Sequence, residues 1–261
     1  MFDFWTFLIS FAGYSTLYLQ LYYVVFPLNW VKLLPGAKYS TPTAYHKYYL
    51  SLTNSILMAS CFLNFYIIPA FKYSGFNIQK LKTYYQSIQS VGTPTNNEVW
   101  LVCLYFGYIL VDSIWLAYTK CKDSFQIFHH IFTISVFMTM LVQESHGFET
   151  TFLMTLMEIS SIVLNCRGIA KFYGFYKQLE PIINLVYAAS FFFTRVLIFI
   201  GYGVFLMSSN ATKWDTWIWY GGLGVVNFTF FNRAVKLVRK SLKQLQNEKR
   251  TVKKRTVKIA L

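Results

Sequence analysis

The sequence predicts an all-α membrane protein, a polytopic bundle of about seven transmembrane helices, with six and eight as the alternative counts. Two observations support this fold class. Apolar residues make up 55% of the 261-residue chain and charged residues 13%, about half the charged share of an ordinary soluble domain. The apolar residues are also grouped in blocks of roughly 20, the length of helix that crosses the hydrocarbon core of a bilayer.

Seven apolar blocks follow one another along the chain, and turn residues such as Pro35 and Gly36 separate them. The blocks cover approximately residues 4–28, 48–71, 99–118, 124–143, 150–166, 182–207 and 214–232. The sequence shows no internal repeat and no low-complexity tract. We therefore expect residues 1–232 to form a single transmembrane domain and residues 233–261 to form a basic amphipathic C-terminal tail.

The lysine and arginine residues are expected to orient this bundle, because cytoplasmic loops of membrane proteins carry an excess of them. If the N-terminus lies outside and the spans alternate, segments 119–123 and 167–177 and the tail fall on the inner side, together with most of the basic residues. The basic stretch 72–82 is an outer segment that disagrees. The distribution as a whole favours an outside N-terminus and an inside C-terminus.

Two adjacent histidines, His129 and His130, lie in the otherwise apolar fourth block of a chain that has four histidines in all. An ionisable side chain at membrane depth is costly and needs a partner or a function. Asp112 lies six residues before the inner end of the third block, and His129 lies about six residues into the fourth from the same side. Both are therefore roughly 9 Å below the inner interface. We expect Asp112 to contact one of the two rings.

Further polar side chains occur at membrane depth in the next blocks. Glu158, Ser161 and Asn165 recur at i, i+3 and i+7, which places them in one stripe directed into the bundle. Arg195 lies near the middle of the sixth block and is expected to form a buried ion pair with Glu158, the acidic residue at the same depth. Thr133 falls between the two histidine rings on the fourth helix.

Several classes of protein are excluded by the residues that they require. Four histidines are too few for the repeated clusters of a membrane di-iron enzyme, and no His-Glu-x-x-His motif occurs. The last apolar block has no lysine for a retinal Schiff base, and the third block ends in SIWLAYTK (113–120) rather than in Asp-Arg-Tyr. We therefore expect neither a retinal protein nor a receptor, and we expect no metal and no cofactor.

Three segments resemble the TLC domain family, which comprises the ceramide synthases and a broader set of small multi-span relatives. They are FGYILVDSIWL (106–116), FHHIFTISVF (128–137) and MEISSIVLNCRGIAKFYG (157–174), within a resemblance that covers about residues 45–240. For a ceramide synthase the pattern implies acyl-CoA-dependent N-acyl transfer within the membrane. The resemblance then makes His129, His130 and Asp112 the catalytic residues, if this protein is an enzyme.

The chain departs from ceramide synthases in the span that follows the histidines. Those enzymes carry a His-Asp-x-x-Ser-Asp element there, and this chain has LMEISSIVLNCRG (156–168). The Glu-x-Ser and Asn-x-Arg pattern is similar to the small relatives, for which the resemblance implies a role in lipid composition, sensing or transport. The departure favours a protein that handles a lipid without catalysis.

Three functions remain open. The preferred one is binding or handling of a membrane lipid; the others are a non-catalytic accessory subunit of a larger membrane complex and an N-acyltransferase of ceramide synthase type. Membrane lipids are the expected partners, and nucleic acid is not. The expected lipid-binding residues are the polar side chains at membrane depth, namely Asp112, His129, His130, Thr133, Glu158, Ser161 and Asn165.

The tail 233–261 has a helical pattern of its own. Val238, Leu242 and Leu245 fall at i, i+4 and i+7 among basic residues, as in an amphipathic helix at a membrane surface. The tail is expected either to rest on an anionic inner leaflet or to dock on another membrane-protein subunit, and its first ten residues are expected to be helical in both cases. The family resemblance favours the endoplasmic reticulum, with the mitochondrial inner membrane as the alternative.

Overall fold

A computed structural model describes residues 3–20, 43–89, 94–118, 124–144, 147–172, 176–207 and 214–260. These residues form eight continuous helices, and no strand occurs among them, which confirms the predicted all-α class. The helices are α1 (Phe4–Gln20), α2 (43–74), α3 (Ile78–Gln89), α4 (Asn96–Tyr118), α5 (Ser124–Gln143), α6 (Gly147–Phe172), α7 (176–207) and α8 (Trp214–Ala260).

Two of the helices contain a π-helical turn in the middle of the membrane domain. In α2, the π turn Leu63–Ile67 joins Thr43–Phe62 to Ile68–Ser74. In α7, the π turn Phe193–Leu197 joins Tyr176–Phe192 to Ile198–Met207. The backbone N–H of Ile198 donates to the carbonyl of Phe193, five residues earlier. Such wide turns are rare in proteins and are frequent at functional sites.

Five helical segments in the described part of the chain are long and apolar enough to cross a membrane. They are Tyr48–Ser74, Asn96–Tyr118, Ser124–Gln143, Gly147–Ala170 and Leu179–Val204. These match the second to sixth predicted blocks. The first predicted block, 4–28, lies partly outside the described residues, and the described α1 has 17 residues. The last block, 214–232, continues without a break into the basic half of α8.

The segment between the second and third spans contains α3, which the sequence reading treated as part of a connecting loop. Gly75, with a φ of 59°, ends α2, and α3 follows after two residues. Tyr85 on α3 packs against Phe148 and Phe152 of α6. This helix is short and polar, so its hydropathy does not mark a span, although Ile78, Leu81 and Tyr85 recur at helical spacing.

The helix α4 lies at the centre of the bundle. It is the most buried of the five spans, with 72% of its apolar window inside the protein. A capping box starts it three residues before the predicted block: the Thr95 hydroxyl accepts from the Glu98 N–H, and the Glu98 carboxylate accepts from the Thr95 N–H. The helices α1, α2, α5 and α6 contact α4, and α8 packs along α7.

The outer surface of the bundle is apolar, as expected for helices that face lipid. Ile131 on α5, Val142 at the end of α5 and Val204 on α7 are each at least 60% exposed. In contrast, the polar side chains of the candidate site are buried. Asp112, His130, Glu158, Asn165 and Arg195 are no more than 9% exposed. The helices therefore direct these polar side chains into an interior that is otherwise mainly apolar, and leave apolar side chains to face lipid.

Candidate functional site

Asp112 and His130 form the central contact between α4 and α5. The Oδ2 atom of Asp112 lies 3.2 Å from Nε2 of His130, so the predicted contact between Asp112 and a histidine is confirmed. On the other side of the ring, Nδ1 lies 3.0 Å from the hydroxyl oxygen of Ser113. Ser113 in turn donates to the carbonyl of Ile109 at 2.6 Å. The imidazole is therefore held at both nitrogens, which fixes its orientation.

His129 points to a different part of the bundle, as the helical turn between adjacent residues requires. Its ring packs edge to face against His130 and against Phe230 of α8, with a centroid separation of 5.7 Å in each case. Thr133, one turn later, donates its hydroxyl to the His129 carbonyl at 2.8 Å. The two histidines therefore connect α5 to different neighbours, His130 to α4 and His129 to α8.

Glu158 of α6 is bound by two hydroxyl groups from other helices. The Ser55 hydroxyl of α2 donates to Oε2 at 2.5 Å, and the Tyr105 hydroxyl of α4 donates to Oε1 at 2.8 Å. One and two turns along the same face, Ser161 and Asn165 are also buried, which confirms the predicted polar stripe. The amide of Asn165 donates to Ser51 of α2 at 2.9 Å.

Arg195 lies in the π turn of α7 and contacts α6 at Met157, Ser160 and Ser161, close to Glu158 in the sequence. Its Nε and Nη2 atoms donate to the Met157 carbonyl at 3.2 and 2.9 Å. Nε also donates to the Ser160 hydroxyl at 2.8 Å, and Nη2 donates to the Ser161 hydroxyl at 2.9 Å. The guanidinium lies 5.1 Å from the ring centroid of Phe191.

Among the described residues, Glu158 and Arg195 have other partners than the ion pair that the sequence led us to expect. Each group has its own hydrogen-bonding partners, two hydroxyls for the carboxylate and a carbonyl with two hydroxyls for the guanidinium. Equal depth of two charges does not reveal the serine and tyrosine hydroxyls that hydrogen-bond each charged group in the structure.

These side chains line an open cavity of about 940 Å³ between α2, α4, α5, α6, α7 and α8. That volume is near the upper end of the range for small-molecule sites. Its lining is rich in polar groups and tyrosines. The predicted site residues that line it are Asp112, His129, His130, Glu158, Ser161, Asn165 and Arg195.

A second, narrower cavity of about 90 Å³ adjoins the first, and we call it the slot. Thr133 lines the slot rather than the large cavity. The two spaces share the walls formed by Tyr105, His129, Glu158 and Arg195, which we call the junction. Beyond the junction most of the slot lining is apolar, and it includes Phe132, Val136, Phe137, Met140, Leu153, Met154, Met157, Trp219 and Leu223.

Arg233 marks the opposite end of the large cavity, near the predicted inner surface. It lines the cavity together with Tyr118 and Gln126, which belong to the facing ends of α4 and α5. Its guanidinium lies 5.3 Å from the ring centroid of Phe125 and 5.8 Å from that of Phe230. A cation on two aromatic faces is held in place without losing its charge.

A separate series of hydrogen-bonded side chains holds the start of the C-terminal tail against the bundle. Arg167 of α6 donates from Nε to the side-chain oxygen of Asn184 on α7 at 2.6 Å. The Asn184 amide donates to the hydroxyl of Ser241 on α8 at 2.6 Å. Asn184 and Ser241 are almost fully buried. The helix continues to Ala260, so the expected helicity of the first ten tail residues is confirmed, and these turns pack against the bundle.

Sequence reasoning missed several residues of the site, including Ser55, Tyr105, Ser113 and Arg233. A signal for Tyr105 was present: Tyr105, Tyr108 and Asp112 recur at i, i+3 and i+7 and form one face of α4. Tyrosine counts as apolar in a hydropathy reading, so this stripe was not recognised. Among the described residues, no group of three or more His, Cys, Asp or Glu side chains could hold a metal ion.

The comparisons with known proteins identify the family. The family model of the TLC domain matches residues 51–231, which is most of the chain and contains the slot, the junction and all of the cavity lining except Tyr48 and Arg233. The chain therefore belongs to the TLC domain family and is a multi-pass integral membrane protein. No curated protein and no solved structure matches the chain.

Proposed function

We propose that this protein binds a membrane lipid and does not act on it chemically. The head group lies in the large cavity, and part of one hydrocarbon chain lies in the slot. The observation that supports this most is the shared wall of the two spaces: a cavity of about 940 Å³ rich in polar side chains and a mainly apolar slot are both lined by Tyr105, His129, Glu158 and Arg195. An amphiphile has the same order of polar and apolar parts.

The polar half suits a head group because its charges are already held by the protein. The side chains of Asp112 and His130 contact each other, and the carboxylate of Glu158 accepts from two hydroxyls. Because these side chains already have partners within the protein, a head group can add hydrogen bonds to them without leaving a buried charge unsatisfied. The proposed contacts to the head group are the polar side chains of the cavity, namely Asp112, His129, His130, Glu158, Ser161 and Asn165.

The slot suits a single hydrocarbon chain. Its narrow volume of about 90 Å³ excludes a second chain beside the first. Thr133 lines this space, but its hydroxyl is used by the His129 carbonyl. Methionine side chains such as Met140, Met154 and Met157 adapt readily to the shape of an alkyl chain.

The test is photolabelling of the purified protein in lipid nanodiscs with a single-chain lipid that carries a diazirine on its alkyl chain. We expect saturable labelling of α5, α6 and α8, and competition by the unlabelled lipid. Val136→Trp fills the slot and should reduce labelling by about tenfold, the effect of about 1.4 kcal/mol. The matched control is Ile131→Trp, on the same helix but 60% exposed, which should label like the wild type. Labelling without saturation, or equal labelling of the two variants, would contradict the proposal.

Acyl transfer is the second candidate function. It is favoured by the position of His129 at the junction, where the carbonyl of an acyl chain in the slot would lie. A histidine there could act as a general base. Incubation with an acyl-CoA and a long-chain amine, followed by mass spectrometry, tests it. We expect no amide product; product that disappears in His129→Ala, with photolabelling retained, would establish the enzyme instead.

We also propose that the basic half of α8 lies on an anionic membrane surface, in the endoplasmic reticulum by family resemblance. Arg239, Lys240 and Lys243 are exposed on a helix that is anchored at Ser241. Each such residue contributes about 1 kcal/mol near an anionic leaflet. Purification in mild detergent distinguishes a tail on the membrane surface from a tail that docks on a partner subunit. A second protein that co-purifies in stoichiometric amount, and that is lost on truncation after Gln246, would favour the accessory-subunit alternative.

A further inference from the structure

We propose that Arg195 recognises an anionic group, a carboxylate or a phosphate, on a single-chain lipid bound at the junction. This inference rests on the proposed lipid-binding function and adds the chemical class of the ligand. It assigns the charge selectivity of the site to one side chain, which lies where the polar cavity meets the slot.

The first argument is the uncompensated charge of Arg195. The side chain is 9% exposed, and its hydrogen-bonding partners, the Met157 carbonyl and the hydroxyls of Ser160 and Ser161, are all neutral. No salt bridge to it occurs among the described residues. A buried cation without an opposite charge is costly, and an anionic ligand at this position would offset that cost.

The second argument is the direction of the guanidinium. The contacts to α6 use Nε and Nη2, whereas Nη1 makes no hydrogen bond to any described residue. The side chain lines both spaces, and the ring of Phe191 lies 5.1 Å from it. The contacts to Met157 and Phe191 thus orient a planar donor group beside the cavity, and planar donors of this kind are suited to carboxylate and phosphate oxygens.

The third argument is the backbone at Arg195. The residue is the central one of the π turn Phe193–Leu197. A π turn adds a residue to the helical turn and leaves weaker hydrogen bonding, so it persists where the side chains that it presents have a role. Here it presents Arg195 to α6 and the cavity, while Phe193 and Leu197 on the same turn are exposed on the outer face.

Glu158, the acidic group at the junction, does not replace an anionic ligand. Both of its oxygens accept hydrogen bonds, Oε2 from Ser55 and Oε1 from Tyr105. These donors belong to α2 and α4, whereas the partners of Arg195 belong to α6. Arg233 is the other arginine that lines the cavity, and its guanidinium lies over the rings of Phe125 and Phe230 rather than at the junction.

The experiment measures how three unlabelled oleyl compounds displace a neutral diazirine-bearing oleyl alcohol from the protein in nanodiscs. The compounds are oleate, oleoyl lysophosphatidate and oleyl alcohol. For the wild type we expect both anions, or one of them, to displace the probe at a concentration at least about tenfold below that of the alcohol. The anion with the larger preference identifies the group, carboxylate or phosphate, that Arg195 accepts.

Two variants assign the preference to a residue. Arg195→Gln should still take up the neutral probe but lose the preference for anions. Arg233→Gln removes the other arginine of the cavity lining, and this variant should retain the preference for anions. If Arg195→Gln does not fold, Arg195→Lys replaces it, and we expect a smaller but measurable preference, because a point charge binds an anion without the planar donor geometry.

The outcomes separate this inference from the function on which it rests. If no probe labels the wild type saturably, the lipid-binding function itself fails. If the neutral probe binds and the anions show no preference over the alcohol, the function stands and the role of Arg195 is refuted. A preference that survives in Arg195→Gln, or one that is lost in Arg233→Gln alone, would also refute it.

Discussion

Asp112 and His130 are expected to stabilise the contact between α4 and α5. Truncation of Asp112 to alanine leaves the Nε2 group of His130 buried without its acceptor, which costs about 1–3 kcal/mol. A double-mutant cycle of Asp112→Ala and His130→Ala, followed by thermal unfolding in detergent, should show a coupling of about 1 kcal/mol. Ile131→Ala, at an exposed position of α5, is the control. Strictly additive losses would mean that the contact contributes no stability.

Among the hydroxyl donors of the site, Tyr105 is expected to contribute most to the free energy of unfolding. Tyr105→Phe keeps the ring but removes the hydrogen bond to Oε1 of Glu158, so we expect the free energy of unfolding to fall by about 1–2 kcal/mol. Tyr118→Phe, at a 70% exposed position of the same helix, should have no measurable effect. Chemical or thermal unfolding of both variants in one detergent makes the comparison. Equal stabilities would indicate that Glu158 finds another donor.

At the scale of residues, the sequence predicted which helices adjoin better than it predicted which side chains pair between them. The Asp112–His130 contact followed from a five-residue connector and equal depth, because a short connector fixes which helices adjoin. Glu158 and Arg195 lie on helices that also adjoin, yet their partners are hydroxyl groups and a carbonyl. Which hydroxyl reaches a buried charge depends on helix rotation, and hydropathy does not specify it.

At the scale of helices, Gly107 sets the distance between α1 and α4. A Cβ atom at this position would lie 2.7 Å from the backbone nitrogen of Phe11 and 2.6 Å from the Ser10 hydroxyl. Gly107→Ala should therefore separate the two helices and lower the free energy of unfolding by about 1–3 kcal/mol. Gly13→Ala is the matched control on α1, since nothing lies within 4 Å of its added methyl group. Similar melting temperatures for the two variants would contradict this account of the packing.

The anchoring of α8 leads to a prediction about truncation. Removal of everything after Lys240 deletes Ser241 and leaves the buried Asn184 amide without its acceptor. We expect a loss of about 1–3 kcal/mol, seen as a lower melting temperature. Truncation after Gln246 keeps Ser241 and Leu242 and should melt like the full chain. If both truncated proteins melt at the same temperature, the hydrogen bonds that link Arg167, Asn184 and Ser241 do not stabilise the tail.

Helix boundaries show why part of the fold could not be read from hydropathy. The five central spans were predicted to within a few residues because their apolar blocks are long. The start of α4 was missed because a capping box, Thr95 and Glu98, extends it beyond the apolar block. The π turns Leu63–Ile67 and Phe193–Leu197 have no composition that marks them. They arise from packing, which decides whether a helix can accommodate the extra residue.

For the molecule as a whole, we predict that the two termini lie on opposite sides of the membrane. The positive-inside distribution requires an odd number of crossings. In a variant without the four native cysteines, Asp3→Cys should react with a membrane-impermeant maleimide in intact vesicles of outside-out orientation. Ala260→Cys should react after permeabilisation. Labelling of both positions from the same side would overturn the predicted topology.

The cavity is a property of the whole bundle and could not be predicted from any one segment. The sequence placed eight polar residues at membrane depth, and all of them line the cavity except Thr133, which lines the slot. Its size depends on α5, which is the least buried of the five spans, with 22% of its apolar window inside the protein. The distance between α5 and the neighbouring helices sets the space between them, and neither hydropathy nor helical spacing in the sequence predicts that distance.

The unbroken length of α8 has a mechanical consequence. At 1.5 Å per residue, its 47 residues span about 70 Å. The same rigid rod carries Leu223 beside the slot, Phe230 and Arg233 beside the cavity, and the charged turns beyond Ser241. If the charged end of α8 tilts about its anchor at Ser241, the part of the helix that lines the cavity is expected to move in the opposite direction. We therefore expect the surface charge of the membrane to affect the width of the cavity through this single helix.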